Sequence, residues 1–156
     1  MEIKPLNIQL PKEVESLTEG SLFDNDGLIS DDMLSKYLAY NPELIRIYGL
    51  AMADLKKTRG ELELEAKKLE MRQERIRSSI LLKLDPGIYK NDSLREAKVI
   101  LDEEYQKIQE EVLAINTDII EITGNIDELS EKYWKHKAMQ QSLDAMTKLR
   151  LAERKY

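Results

Sequence analysis

The sequence has no cysteine, one histidine (His136), one tryptophan (Trp134) and one phenylalanine in 156 residues. Thiolate chemistry, disulfides, Cys/His zinc sites and metal motifs that need two histidines are therefore excluded. Only four prolines and six glycines punctuate the chain, and 42% of it is apolar and 35% charged. That profile is neither disordered nor rich in turns, and long helices fit it best. No apolar run approaches the ~18 residues a spanning helix needs, so no membrane partner is expected. The acidic, proline-containing N-terminus lacks the basic and apolar regions of a signal peptide, and the expected location is the cytoplasm. At ~100–200 residues per domain, the length allows one compact domain or one extended helical unit.

The net charge of −6 argues against a polyanionic partner if it is taken as an average. Divided along the chain, it does not behave as an average. Residues 1–35 carry two basic and eight acidic side chains, 36–90 twelve and eight, 91–131 three and twelve, and 132–156 seven and two. Such segregated blocks give each surface its own preference for a partner.

Residues 1–29, with Pro5, Pro11 and scattered hydrophobes, show no sustained helical period and read as an acidic N-terminal arm. Asp24-Asn25-Asp26-Gly27 looks like part of a calcium loop. With Gly27 in the sixth position, however, the first and twelfth ligands would be Leu22 and Met33, which cannot coordinate. A turn leading into a helix capped by Ser30, with Asp31 and Asp32 in its first turn, accounts for the same residues. Residues 30–156 then read as one helical hairpin domain. A short helix covers about 30–40. Asn41-Pro42-Glu43 supplies both a stop and a start, so a second helix runs over about 42–84. It ends at Asp85-Pro86-Gly87. Its seam is Tyr48, Leu55, Leu62, Leu69 and Ile76, interleaved with Met52, Arg59, Ala66, Gln73 and Ile80.

Ser93-Leu94-Arg95-Glu96 has the pattern of a capping box and places the start of the last helix near residue 93, with an end near 154. Its seam holds Leu101, Tyr105, Ile108, Val112, Ile115, Ile119, Ile122, Ile126 and Leu129, then Tyr133, His136, Gln140 and Leu143. So regular a repeat marks a left-handed coiled coil. The short connection makes the two long helices antiparallel. The fold class expected is all-α: a long coiled-coil-like antiparallel helical hairpin with a short preceding helix and an acidic arm. In that pairing Lys67, Lys68, Arg72, Arg75 and Arg77 lie beside Asp102, Glu103, Glu104, Glu110 and Glu111. β-branched residues on both seam series favour more than two strands, so a homo-oligomer is expected.

No glycine-rich phosphate loop, Ser/His/Asp set or repeated Glu-x-x-His is present, and the carboxylates fall at solvent-facing positions. The chain is therefore expected to bind rather than catalyse, with no cofactor, no metal site and no catalytic residue. The most suggestive cluster is Lys132-Tyr133-Trp134-Lys135-His136-Lys137, followed by Lys148 and Arg150. Cations that track phosphates and aromatic faces that stack on bases are the two ingredients of single-stranded nucleic-acid binding. Tyr133 and His136 fall on the seam, which leaves Trp134 as the spare aromatic. The bland alternative for this cluster is core residues with solvated lysines. For Lys56, Lys57 and Arg59 the alternative is likewise a solvated face, although Arg59 is anomalous on a seam.

The run Met33-Leu34-Ser35-Lys36-Tyr37-Leu38-Ala39-Tyr40, the basic helix, the turn, the acidic heptads from Asp102-Glu103-Glu104-Tyr105, and Leu143-Asp144-Ala145-Met146-Thr147-Lys148-Leu149-Arg150 resemble, over roughly residues 30–150, the tailed-phage recombination mediator family, UvsY. The resemblance implies a helical homo-oligomer that binds single-stranded DNA, helps displace single-strand-binding protein and loads a recombinase. In that case Lys56, Lys57, Arg59, Lys132, Trp134, Lys135, Lys137, Lys148 and Arg150 are the candidate DNA contacts. The rival is a structural or adaptor coiled coil, such as a prefoldin-like holdase or a phage scaffold, with no nucleic-acid binding.

Overall fold

The computed structural model describes residues 29–153. Among them are three helices and no strand: α1 over Asp31–Lys83, α2 over Asp92–Ile100 and α3 over Glu103–Glu153. The protein is all-α, with a long helix pair and one short helix. Residues 1–28, including the Asp24–Gly27 string, and residues 154–156 lie outside the described residues.

Helix α1 starts where its residues demand. The Ser30 hydroxyl accepts from the Met33 N–H at 3.2 Å, and Asp31 and Asp32 occupy the first turn, where the dipole favours carboxylates. The break expected at Asn41-Pro42 does not occur: α1 runs through Pro42 for 53 residues. Proline deprives the Leu38 carbonyl of a helical donor, but burial on both sides holds the segment helical. Tyr37 is buried before the proline and Leu44 after it. Nor does Asn41 cap a new helix; its side chain is buried and bonds across to α3.

The expected start of the last helix also changes. Asn91, not Ser93, caps α2, its Oδ1 accepting from the Leu94 N–H at 2.8 Å. Glu96 turns to the guanidinium of Arg77 instead of back to the helix start. Helix α2 then stops at Leu101, which is its C-cap, and Asp102 opens α3 by accepting from the Tyr105 N–H at 3.0 Å. The interruption removes Leu101 from the seam. It is 71% exposed, while Val99 fills the core. An aspartate well suited to cap a helix thus outweighs the heptad that runs through it.

The contacts divide the chain into two compact units. In the unit of Lys57–Thr123, the later part of α1 runs antiparallel to the start of α3. Arg72 pairs with Glu104 at 3.1 Å and Arg77 with Glu96, so two members of the basic stretch meet acidic partners. Leu62, Ala66, Val99, Ile108 and Ile122 are its buried residues, and Tyr105, Val112, Ile115 and Ile119 are half-buried.

The other unit comprises the described parts of Lys4–Lys56 and Gly124–Tyr156. Ile29, Leu34 and Tyr37 pack with Leu143 in one cluster, backed by Met139 and Met146. Leu44 and Tyr48 pack with Leu129 in a second, flanked by Leu55 and Tyr133. Ile126 is buried as well. The Arg150 guanidinium pairs with Asp31 and donates to the Ile29 carbonyl at 2.6 Å.

These burials give the corrected seam a direct measure. Ile108→Ala is expected to lower the unfolding free energy by about 2–5 kcal/mol in urea titrations, whereas Leu101→Ala stays within about 0.5 kcal/mol of the parent. Equal losses at the two positions would restore Leu101 to the core.

Candidate nucleic-acid interface

The cluster around Trp134 lies in the unit that holds His136. Ring and cation are laid out by helical spacing: residues three or four apart share a face, and consecutive residues point about 100° apart. Trp134 is 58% exposed. Its ring meets Tyr133 edge-on, with centroids 5.3 Å apart. The Lys137 Nζ stands 4.9 Å from the Trp134 centroid and 5.5 Å from that of Tyr133, a cation–π arrangement. Lys148 lies three turns further along the same side of α3 and is exposed, as is Lys135 one step around the helix.

Other candidates are engaged by carboxylates. Lys132 reaches Glu128 at 2.5 Å; this contact raises the lysine pKa and lowers that of Glu128. Arg150 ties the beginning of α1 to the end of α3. Arg59 sits 3.4 Å from Glu63, and its buried Nε has no hydrogen-bond partner. Lys56 and Lys57 are exposed, but as neighbours on α1 they point in different directions. The structure therefore brings together Trp134 and Lys137, with Lys148 on the same side. It leaves Lys135 apart and gives Lys132, Arg150 and Arg59 intramolecular partners.

Behind this surface is a buried polar group that the seam pattern placed without naming its partner. The Asn41 Nδ2 donates to the His136 carbonyl at 2.8 Å and to the Gln140 Oε1 at 3.0 Å. Both partners are acceptors, which fixes the amide orientation. The Asn41 Oδ1 then faces the His136 Nδ1 at 2.8 Å, so the neutral ring carries its proton on Nδ1. Tyr48 stacks on the imidazole with centroids 5.6 Å apart. Burial, reinforced by the Lys135 charge, lowers the His136 pKa. Sequence reasoning missed the pairing because Asn41 beside Pro42 has the stronger local signature of a helix cap.

Among the described residues, no group of three or more His, Cys, Asp or Glu side chains could hold a metal ion. No described helix is long and apolar enough to cross a membrane.

The lowered His136 pKa has a definite sign. The unfolded chain takes up the proton near pH 6.5 while the folded ring still resists it. The stability contributed by neutral His136 is thus complete above about pH 6.5 and declines as the pH falls below that value. Thermal midpoints are expected to drop between pH 7 and pH 5, and His136→Gln is expected to flatten that slope. An unchanged slope in the variant would assign the drop to other groups.

No protein-family model matches this chain, no curated protein matches it, and no solved structure matches it.

Proposed function

We propose that this protein acts by binding and not by catalysis, as a single-stranded DNA-binding recombination mediator that self-associates, helps displace single-strand-binding protein and loads a recombinase. The observation that carries the DNA-binding part is the exposed Trp134 ring with the Lys137 ammonium over it. A base can stack on the ring while its phosphate meets Lys137 or Lys148. Stacking of this kind contributes ~1–3 kcal/mol per base and tolerates any sequence. One such site per copy makes weak individual contacts, and self-association multiplies them through effective concentration. The mediator role and its protein partners come from the family resemblance.

The second reading is a structural or adaptor coiled coil. It is favoured by the carboxylate partners of Lys132, Arg150 and Arg59, which remove three cations from any phosphate path.

Anisotropy of a labelled oligo-dT, titrated at ~50 and ~200 mM salt, separates the two. The mediator reading expects binding that weakens steeply with salt, together with quenching of the fluorescence of the single tryptophan. Trp134→Ala is expected to cost roughly 5- to 150-fold in affinity while helicity and solution mass hold. Flat anisotropy at both salts leaves the coiled-coil reading in place.

A further inference from the structure

Within the unit of Lys57–Thr123, two helix faces have no partner among the described residues. Placed around α3 at about 100° per residue, all seven charged side chains of residues 103–123 fall within an arc about 120° wide. The flank that adjoins this arc at Glu103 and Glu110 is uncharged and exposed: Gln106, Leu113, Thr117 and Ile120, the last of these 73% exposed. A solvated helix face normally carries charge, whereas depletion of charge marks the centre of an interface. Helix α1 has its own counterpart. The face turned away from the buried Leu62 and Ala66 presents Gly60, Leu64, Met71, Ser78 and Leu82 at heptad-like spacing, with Met71 60% exposed.

The borders of these two faces carry opposite charge at matching intervals. Lys57, Lys68 and Arg75 edge the α1 face, separated by eleven and then seven residues. Glu103, Glu110 and Glu121 edge the α3 flank, separated by seven and then eleven. Run antiparallel, one register sets Lys57 against Glu121, Lys68 against Glu110 and Arg75 against Glu103. Both borders are displaced in the same sense around their helices, which in an antiparallel pair puts them on the same side. Within one residue of that register, Leu64 meets Leu113, Met71 meets Gln106 and Gly60 meets Thr117. Among the described residues, nothing lies within 4 Å of a Cβ built on Gly60, so this position has room for a facing side chain.

We infer that the outer face of α1 in one protomer docks on the uncharged flank of α3 in a second copy of this chain. The two surfaces differ, so the contact is heterologous, and each copy offers one surface to each neighbour. The register nearly equals the one that sets Arg72 against Glu104 inside a protomer. Neighbouring copies are therefore offset by only about two residues, roughly 3 Å along the axis, and a repeated contact with so little rise favours closure into a ring over a climbing filament. The inference rests on the self-association in the proposed function and names the surface that produces it.

Cysteine cross-linking tests it on a chain with no cysteine of its own. Gly60→Cys and Thr117→Cys in one full-length chain, oxidised at low micromolar concentration, are expected to give a ladder that passes dimer and ends at one largest species. Reduction should collapse it. A ladder that stops at dimer overturns the heterologous contact. Absence of cross-links in a protein that sediments as a multimer overturns the surface while leaving self-association intact; a monomeric mass overturns both.

A charge exchange checks the register separately. The double variants Lys68→Glu/Arg75→Glu and Glu103→Lys/Glu110→Lys are each expected to lose multimer mass with helicity retained. Mixing them should restore it, because each repairs the other's border. Failure of the mixture to recover mass overturns the register. Oligo-dT binding is read in parallel, so loss of DNA binding by an intact multimer counts against the nucleic-acid reading alone.

Discussion

A helix with one neighbour can bury only one strip of its circumference, and this limit governs the protein. In the unit of Lys57–Thr123 the strip is thin: Leu62 and Ala66 from α1, Val99 from α2, and Ile108 and Ile122 from α3 are buried. At about 25 cal/mol per Å² of apolar surface, every large side chain left outside is stabilisation not yet used. Met71, Leu82, Leu113 and Ile120 are such side chains. In the other unit the strip is reinforced at intervals by polar links, from Arg150 and Asp31 at one end to Asn41 and His136 further in.

The Asn41–His136 pair settles the register where apolar packing alone would not. Leucine, isoleucine and methionine pack about equally well one heptad along, but a buried amide displaced from its partners leaves unsatisfied polar groups that cost roughly 1–3 kcal/mol each. Asn41 satisfies one carbonyl, one amide oxygen and one ring nitrogen on a single turn of α3. Any slip loses all three. We regard this as the use to which single buried polar residues in coiled coils are best suited. Tyr48 closes over the imidazole and keeps water from repairing a wrong alignment.

Much of this was legible in the sequence, and the parts that were not share a cause. The seven-residue repeat correctly placed Leu62, Ala66, Ile108, Ile122, Ile126, Leu129 and His136 inside, because periodicity reports burial over many turns. Ser30 as a cap was legible from its own chemistry and that of the two aspartates after it. Pro42 and Leu101 were misread in opposite directions. At Pro42 a strong local stop signal yields to Tyr37 and Leu44, which bury on either side and hold α1 helical. At Leu101 a strong long-range pattern yields to Asp102, whose capping bond opens a new helix and turns the leucine outward. A local signal and a periodic one are comparable in free energy, so burial decides at Pro42 and the capping bond decides at Leu101. In the candidate interface, Trp134 was legible as the aromatic off the seam. The Glu128 partner of Lys132 follows from i,i+4 spacing on one helix, whereas the Asp31 partner of Arg150 required the folded geometry.

Charge placement connects the proposed binding and the proposed assembly. If Lys57, Lys68 and Arg75 face the carboxylates of a neighbouring copy, they are not available to phosphates, and DNA contact falls to Trp134, Lys137 and Lys148 in the other unit. Lys57, named as a DNA contact from the sequence, then belongs to the assembly. Each protomer releases few counterions on its own, so the salt dependence of one copy is shallow. A ring that presented one such set per protomer to a continuous strand would add those shallow terms into a steep one. The segregated charge of the sequence would then have a physical reading: the acidic stretch around residues 103–121 would meet basic partners within and between copies, while Lys132 and Arg150 keep their own carboxylates and Lys137 and Lys148 are left for phosphates.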